Sequence, residues 1–76
     1  MKELVLIEWP RMFAEDVMRQ RFSQVGVPVE RMSIRGKTTI LFYDNIALRE
    51  QARIRLMQLS EEGEFMLANA PAAYAN

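Results

Sequence analysis

Residues 31–43 read RMSIRGKTTILFY, and this stretch decides the fold. In its first half, Met32 and Ile34 alternate with polar side chains, which predicts a half-exposed strand. Its second half, TTILFY, is rich in β-forming residues and apolar on both faces. A tight turn joins the two runs, so that they predict a β-hairpin. The register of the hairpin stays open, because loops of two and of three residues place opposite sets of side chains toward the core.

The segments on either side of the hairpin predict two helices and two further strands. Residues 4–7 read LVLI, a short run typical of a strand that is buried on both faces. Apolar residues recur with a helical period over residues 14–25, and again over residues 48–59. Residues 65–68 are short and apolar enough for a last strand. The predicted helical stripes consist of Ala14, Val17, Met18, Phe22 and Val25 in the first helix, and of Leu48, Ala52, Leu56 and Leu59 in the second.

The resulting order, β-α-β-β-α-β, predicts an α+β fold of the ferredoxin-like sandwich type, in which an antiparallel sheet carries two helices on one face. This topology places the first and third strands at the centre of the sheet, and these are the two runs that are apolar on both faces. The second strand carries Arg31 and Arg35 and suits an edge. We therefore predict one domain over residues 1–69, followed by a loose C-terminal tail over residues 70–76.

The composition argues against catalytic chemistry. The 76 residues include no cysteine and no histidine, so that thiol nucleophiles, disulfides, the commonest general base and the commonest metal ligand are all absent. Two adjacent acid pairs, Glu15-Asp16 and Glu61-Glu62, are predicted on a helix and in a loop rather than across a cleft. We expect neither an enzyme nor a site for a metal or a cofactor.

Charge and hydropathy set further expectations. Ten basic and ten acidic side chains cancel, so that no net field attracts phosphate over a long range. No apolar run approaches the roughly 18 residues of a membrane span, and the N-terminus lacks the layout of a signal peptide. We expect an intracellular protein, nuclear or cytoplasmic, that is neither secreted nor bound to a membrane.

From Leu4 to about Ala68 the chain resembles an RNA recognition motif domain. Residues 4–10, LVLIEWP, are similar to the first-strand motif of that family, and residues 15–26, EDVMRQRFSQVG, are similar to its pattern E-[DE]-L…F-[SG]-x-[FVY]-G. Residues 35–42, RGKTTILF, are similar to the third-strand motif [KR]-G-[FY]-[GA]-[FY]-V-x-[FY]. The resemblance implies the ferredoxin-like fold and a place in RNA processing or in a ribonucleoprotein.

The resemblance does not extend to the residues that bind RNA. The family stacks bases of single-stranded RNA on aromatic rings of its two central strands. Those ring positions fall on Val5, Lys37 and Thr39, and none of the three is aromatic. Each stacked base contributes about 1–3 kcal/mol, so that the loss of three rings removes much of the usual affinity. The resemblance therefore implies a degenerate member whose contact with RNA is weak.

The hairpin register that buries Ile40 and Phe42 presents an apolar patch with a basic rim on the outside of the sheet. Three interpretations of this patch stay open: the C-terminal tail covers it through Tyr74, a protein partner or a second copy binds it, or single-stranded RNA contacts it weakly. We expect the protein contact. The predicted interface consists of Val5, Ile7, Arg31, Ser33, Arg35, Lys37, Thr39, Leu41 and Tyr43.

Trp9 stands at the predicted corner between the first strand and the first helix, where it is either an exposed anchor for a partner or a lid over the core. Together these patterns predict an RNA-recognition-motif-like module of an RNA-processing or ribonucleoprotein factor. It would act mainly through protein–protein interaction or dimerisation. The alternatives are direct, atypical binding of single-stranded RNA, and an unrelated ferredoxin-like protein with a small regulatory or inhibitory role.

Overall fold

The computed structural model describes the backbone of residues 3–68 and the side chains of residues 5–67. Six elements follow one another in the predicted order. The predicted tail over residues 70–76, and with it the proposed contact of Tyr74, lies outside the described residues. The elements are β1 (Glu3–Glu8), α1 (Glu15–Gln24), β2 (Arg31–Arg35), β3 (Thr38–Tyr43), α2 (Ile46–Glu61) and β4 (Met66–Ala68).

The four strands form one antiparallel sheet in the order β2-β3-β1-β4. The two runs that are apolar on both faces, β1 and β3, therefore occupy the centre of the sheet. One edge is β2, which carries Arg31 and Arg35, and the other edge is the three-residue strand β4. The predicted α+β class, with an antiparallel sheet and two helices, is confirmed.

The ends of the helices follow from local chemistry. Asn45 caps α2, since its side chain accepts a hydrogen bond from the backbone N–H of Leu48 at 3.1 Å. Glu15 and Asp16 lie in the first turn of α1, where negative charge interacts favourably with the helix dipole. After the last turn of α1, Gly26 adopts a φ of 76°, a left-handed conformation that ends the helix.

The hairpin between β2 and β3 has a loop of two residues, because Arg35 lies opposite Thr38. The first loop residue, Gly36, has a φ of 61°, and the second, Lys37, does not have a positive φ. This combination matches a type II′ turn, in which glycine occupies the first of the two central positions. The turn fixes the register that the sequence pattern left open.

The observed register decides which side of the sheet is covered by the helices. Val5 lies opposite Leu41, and Ile7 lies opposite Thr39. Residues that lie opposite each other in an antiparallel pair of strands are on the same side of the sheet. All four are buried. We call their side the inner face and the other side the outer face. Of the two registers that the sequence left open, the observed one is therefore not the register on which the predicted interface was based, in which these four residues face outward.

Both helices pack on the inner face. The helix α1 contributes Met18 and Phe22 to the core, and α2 contributes Ala52, Leu56 and Leu59. The outer face therefore carries neither of the two described helices. Neither of these helices is long and apolar enough to cross a membrane.

Candidate interaction surfaces

The predicted interface is divided between the two faces of the sheet. Arg31 and Arg35 are exposed on the outer face, Ser33 between them is half-buried, and Lys37 is exposed in the turn. The remaining members of the predicted set are buried on the inner face, so that they contact the helices instead of a partner. These inward-facing residues are Val5, Ile7, Thr39, Leu41 and Tyr43.

Tyr43 is held inside the domain by its hydroxyl group, which donates a hydrogen bond to the backbone carbonyl of Pro28. Burial raises the pKa of the phenol well above its usual value of 10, and the nearby carboxylate of Glu30 adds to the increase. A buried ring with its hydroxyl bonded to the backbone is not available to stack on a base. The predicted placement of Tyr43 on an RNA-contacting surface is corrected accordingly.

Trp9 and Thr39 form a polar link inside the core. The indole Nε1 of Trp9 donates a hydrogen bond to the Thr39 hydroxyl oxygen at 2.8 Å, and that hydroxyl lies 2.9 Å from the sulfur of Met18. Thr39 is the one buried polar side chain in the described part of the chain. Its hydroxyl therefore satisfies an indole donor that would otherwise be buried without a partner.

Trp9 itself is 7% exposed and lies at the centre of an aromatic cluster. Its ring meets those of Phe13 and Phe65 in edge-to-face geometry at centroid distances of 5.3 and 5.1 Å, and it lies 6.0 Å from the ring of Phe22. Trp9 is thus a lid over the core. The alternative expectation, that its side chain projects outward to anchor a partner, is wrong.

The outer face of the central strands presents Leu6, Thr38, Ile40 and Phe42. Leu6 and Ile40 are only 6% and 0% exposed, although neither belongs to the core cluster between the sheet and the helices. Thr38 and Phe42 are half-buried. The outer face is therefore not the open apolar patch that the predicted register implied. Gly36 is the sequence signal that identifies these residues, because glycine at the start of a hairpin loop favours the two-residue turn.

A recess of about 290 Å³ opens between α1, the loop after β1 and the segment that precedes β4. Trp9 and Met18 form its buried walls, whereas Val17 lies at its mouth with 49% of its surface exposed. Most of the lining is aromatic or aliphatic carbon. We call this cavity the Trp9 recess, and it is lined by Trp9, Phe13, Val17, Met18, Arg21 and Glu64.

An ion pair closes one side of the Trp9 recess. Nε and Nη2 of Arg21 donate to the two carboxylate oxygens of Glu64 at 2.9 and 2.5 Å, a bidentate arrangement. The hydrogen bonds from Arg21 lower the pKa of the Glu64 carboxyl below its usual value, although partial burial acts in the opposite direction. This side of the recess is therefore lined by two charges that are paired with each other.

The surface next to the Trp9 recess is also apolar. Met12, which immediately precedes Phe13, is 69% exposed, and Val17 is 49% exposed. The guanidinium of Arg11 lies 5.0 Å from the centroid of the Phe13 ring, a distance that permits a cation–π contact. Exposed apolar side chains around a cavity with charged residues at its border are typical of a protein-binding surface.

Neither metal chemistry nor known relatives narrow the function further. Within the described residues, no group of three or more acidic side chains is placed to hold a metal ion. No protein-family model, no curated protein and no solved structure matches the chain. A functional proposal therefore depends on the geometry of the outer face and of the Trp9 recess.

Proposed function

We propose that the chain is a degenerate, RNA-recognition-motif-like module that acts by protein–protein interaction, and that the Trp9 recess receives a bulky apolar side chain of its partner. The observation that carries the proposal is the contrast between two surfaces. The central residues of the outer face, Leu6 and Ile40, are buried, whereas the recess is open and has Val17 exposed at its mouth. The recess is thus a concave apolar site with an open mouth, whereas the outer face has no such cavity at its centre.

The strand order of the sheet supports the first part of this proposal, that the chain is an RNA-recognition-motif-like module. Counted from the β4 edge, the strand order β2-β3-β1-β4 becomes 4-1-3-2, which is the order of a ferredoxin-like sandwich and of the family that the sequence resembles. Both described helices pack on the same face, as in that fold. Even a shared fold would leave the activity open, so that the functional part of the proposal needs support from the surfaces themselves.

The outer face supports a role other than ordinary RNA binding. With the observed register, Val5 and Thr39 point inward, and the outward-facing neighbours of the expected ring positions are Leu6, Thr38 and Ile40. These three residues are not aromatic either. Among the described outer-face positions of the central strands, Phe42 offers the single ring, and it is half-buried. The resemblance thus implies weak contact with RNA in either register.

The dimensions and chemistry of the Trp9 recess support a peptide side chain as its occupant. Sites for drug-sized ligands usually span about 300–1,000 Å³ and carry several convergent polar groups. The recess has about 290 Å³, at the lower end of this range, and its two charged groups, Arg21 and Glu64, are bonded to each other. These properties match one large apolar side chain. Such anchors contribute much of the binding energy at protein interfaces.

Titration with N-acetyl-tryptophanamide tests this proposal by NMR, with the methyl groups of Val17 and Met18 and the indole N–H of Trp9 as probes. We expect saturable shifts at all three, because the amide mimics one anchoring side chain. The Val17→Glu variant should lose the binding, since it places a charge at the mouth of the recess. Ile54→Glu, a matched change of another half-exposed residue outside the recess, should retain it.

Two outcomes of this titration contradict the proposal. One is the absence of any saturable shift at Val17, Met18 and Trp9 while the protein remains folded. The other is binding that survives in the Val17→Glu variant, because the probe would then occupy a different surface.

Sedimentation across a range of protein concentrations shows whether the partner is a second copy. A mass that doubles with concentration for the wild type and for Ile54→Glu, but not for Val17→Glu, would identify dimerisation through the recess. A constant monomer mass would leave a different protein as the partner. Dimerisation that is equal in all three chains would contradict a role of the recess in it.

Direct binding of single-stranded RNA is the second candidate, because exposed cations border the outer face. Arg31 is exposed on this face and Lys37 is exposed in the turn, close to the half-buried ring of Phe42. A mixed-sequence RNA titration should give little binding. Micromolar affinity that falls as salt rises, with shifts at Arg31, Thr38 and Phe42, would instead favour RNA binding over the protein-interaction role.

A further inference from the structure

The edge strand β2 presents backbone groups that a further strand can bind. On one side β2 pairs with β3, and no other described strand pairs with it. Hydrogen-bonded and non-hydrogen-bonded pairs alternate along an antiparallel ladder. Because Arg35 closes the two-residue turn, it forms a hydrogen-bonded pair with β3, and so do Ser33 and Arg31. The N–H and C=O groups of Met32 and Ile34 therefore point away from β3, toward the edge.

The inner face beside this edge is apolar and only partly covered. Met32 and Ile34 lie opposite Leu41 and Thr39, so that their side chains belong to the inner face. Both pack against the core but remain half-buried. The main contacts of α2 with the sheet are to β1, β3 and β4, so that this helix leaves β2 partly open. Apolar side chains on an added strand would remove the remaining surface of Met32 and Ile34 from water.

The outer face beside the same edge carries positive charge. Arg31 and Arg35 are exposed there, on either side of the small side chain of Ser33. Arg31 lies 3.5 Å from a carboxylate oxygen of Asp44, and both side chains of this pair are exposed. Since an exposed pair contributes little to stability, Arg31 can also bond to a carboxylate of a partner. Opposite charges on neighbouring strands attract, so that this face favours acidic side chains.

We propose that β2 binds an extended, acidic segment of another protein, which adds a strand to the sheet. The alternation of side chains along a strand defines the sequence that fits. Acidic residues stand next to Arg31 and Arg35, apolar residues next to Met32 and Ile34, and a small residue next to Ser33. This pattern of five residues, acidic–apolar–small–apolar–acidic, reads the same in both directions, so that it serves parallel and antiparallel addition alike.

This contact is separate from the one proposed for the Trp9 recess. The recess is bordered by the segment that precedes β4, and β4 and β2 lie at opposite ends of the strand order. The recess accepts one bulky side chain, whereas the edge of β2 accepts an extended backbone. Each surface can therefore bind its ligand without the other.

Titration with the acetylated and amidated peptide Glu-Val-Ser-Val-Glu tests the inference by amide hydrogen exchange. We expect exchange at Met32 and Ile34 to slow several-fold, because their N–H groups gain an acceptor. Exchange at Ser33 should change little, since its N–H is already bonded to β3. The charge-reversed peptide Lys-Val-Ser-Val-Lys should bind at least about tenfold more weakly, because like charges on neighbouring strands repel.

Charge reversal on the protein provides the matched comparison. In the double variant Arg31→Glu, Arg35→Glu, the preference should invert, so that the lysine peptide binds more tightly than the acidic one. Arg19→Glu, which changes an exposed arginine of α1, should keep the preference of the wild type. Val17→Glu, at the mouth of the recess, should keep it as well, so that failure of one proposal is distinguishable from failure of the other.

Four outcomes would overturn the inference. The first is the absence of saturable binding of the acidic peptide to the folded protein, and the second is unchanged binding in the double variant. The third is equal slowing of exchange at Ser33, Met32 and Ile34, because added strand pairing affects alternate residues. The fourth is an oligouridine that binds through Arg31 and Arg35 more tightly than the acidic peptide, which would assign these cations to RNA.

Discussion

At the scale of single residues, Thr39 determines the position of Trp9. The threonine is buried, and its hydroxyl accepts the indole hydrogen bond at 2.8 Å. The resemblance to the RNA recognition motif predicted an outward, base-stacking position for Thr39, whereas the residue lies inside the core. A threonine in an apolar run can serve on either side of a strand, because its methyl group packs and its hydroxyl bonds. Residue type alone therefore did not identify the face.

Replacement of Thr39 by valine should destabilise the domain. Valine has nearly the same shape but lacks the acceptor, so that the Trp9 N–H remains buried without a partner. We expect the free energy of unfolding in urea to fall by about 1–3 kcal/mol. Thr38→Val, the same change on the outer face, should alter it by about 0.5 kcal/mol or less. Equal effects of the two substitutions would mean that the hydrogen bond does not hold Trp9 in place.

Glu64 should make the stability depend on pH in the acid range. Arg21 lowers the pKa of this carboxyl in the folded protein below its usual value of 4.5. A lowered folded-state pKa stabilises the protein at pH values above the unfolded-state pKa, and this contribution is lost as pH falls through the folded-state pKa. The difference in unfolding free energy between the wild type and Glu64→Gln should therefore be constant near neutral pH and should shrink below pH 4.5.

The matched control for this measurement is Glu61→Gln, which removes an exposed carboxylate at the end of α2. At neutral pH, Glu64→Gln should lower the free energy of unfolding more than this control does, because Glu64 is bonded to Arg21. If the curves of Glu64→Gln and wild type remain parallel down to acid unfolding, the ion pair with Arg21 does not contribute to stability. Denaturant melts at several pH values provide the comparison.

At the scale of elements, the order and type of all six helices and strands could be predicted, whereas the register of the hairpin could not. Apolar periodicity is strong over α1, α2 and the central strands. This periodicity does not determine the register of the hairpin, because β3 is apolar on both faces. A shift by one residue would bury an equally apolar set of side chains. The two-residue turn that begins at Gly36 fixes the register of the hairpin.

The predicted stripe of α1 was also only partly buried. Met18 and Phe22 lie in the core, but Val17 from the same stripe is 49% exposed. The helical period identifies which residues share a side of the helix, and it does not show where neighbouring elements stop covering that side. Here the Trp9 recess interrupts the contact, so that Val17, an exposed residue of the stripe, is part of the candidate site.

Gly36 should be sensitive to substitution because its φ is 61°. Nothing obstructs an added methyl group in space, so that the cost of Gly36→Ala arises from the backbone conformation. We expect a loss of about 1–2 kcal/mol in the free energy of unfolding. Lys37→Ala, in the same loop but without a positive φ, should have a much smaller effect. A neutral Gly36→Ala change would contradict the type II′ turn.

At the scale of the whole molecule, the fold class could be predicted from the sequence, whereas the candidate binding surface could not. The α+β class could be predicted because the periodicities of 2 and 3.6 are properties of the chain itself. The Trp9 recess could not be predicted, because it forms where α1, a loop and the segment before β4 meet. Glu64 and Arg21 are 43 residues apart in sequence, and no local sequence pattern predicts that they form an ion pair.

The placement of arginines on β2 has a consequence for how copies of the protein meet in concentrated solution. An edge strand exposes unpaired backbone groups, and two such edges can join into a continuous sheet that grows into an aggregate. If two copies of β2 paired antiparallel around Ser33, Arg31 of each would stand directly opposite Arg35 of the other. Like charges in that position repel. The β2 edge thus discourages the edge-to-edge growth of the sheet by the charge of its arginines.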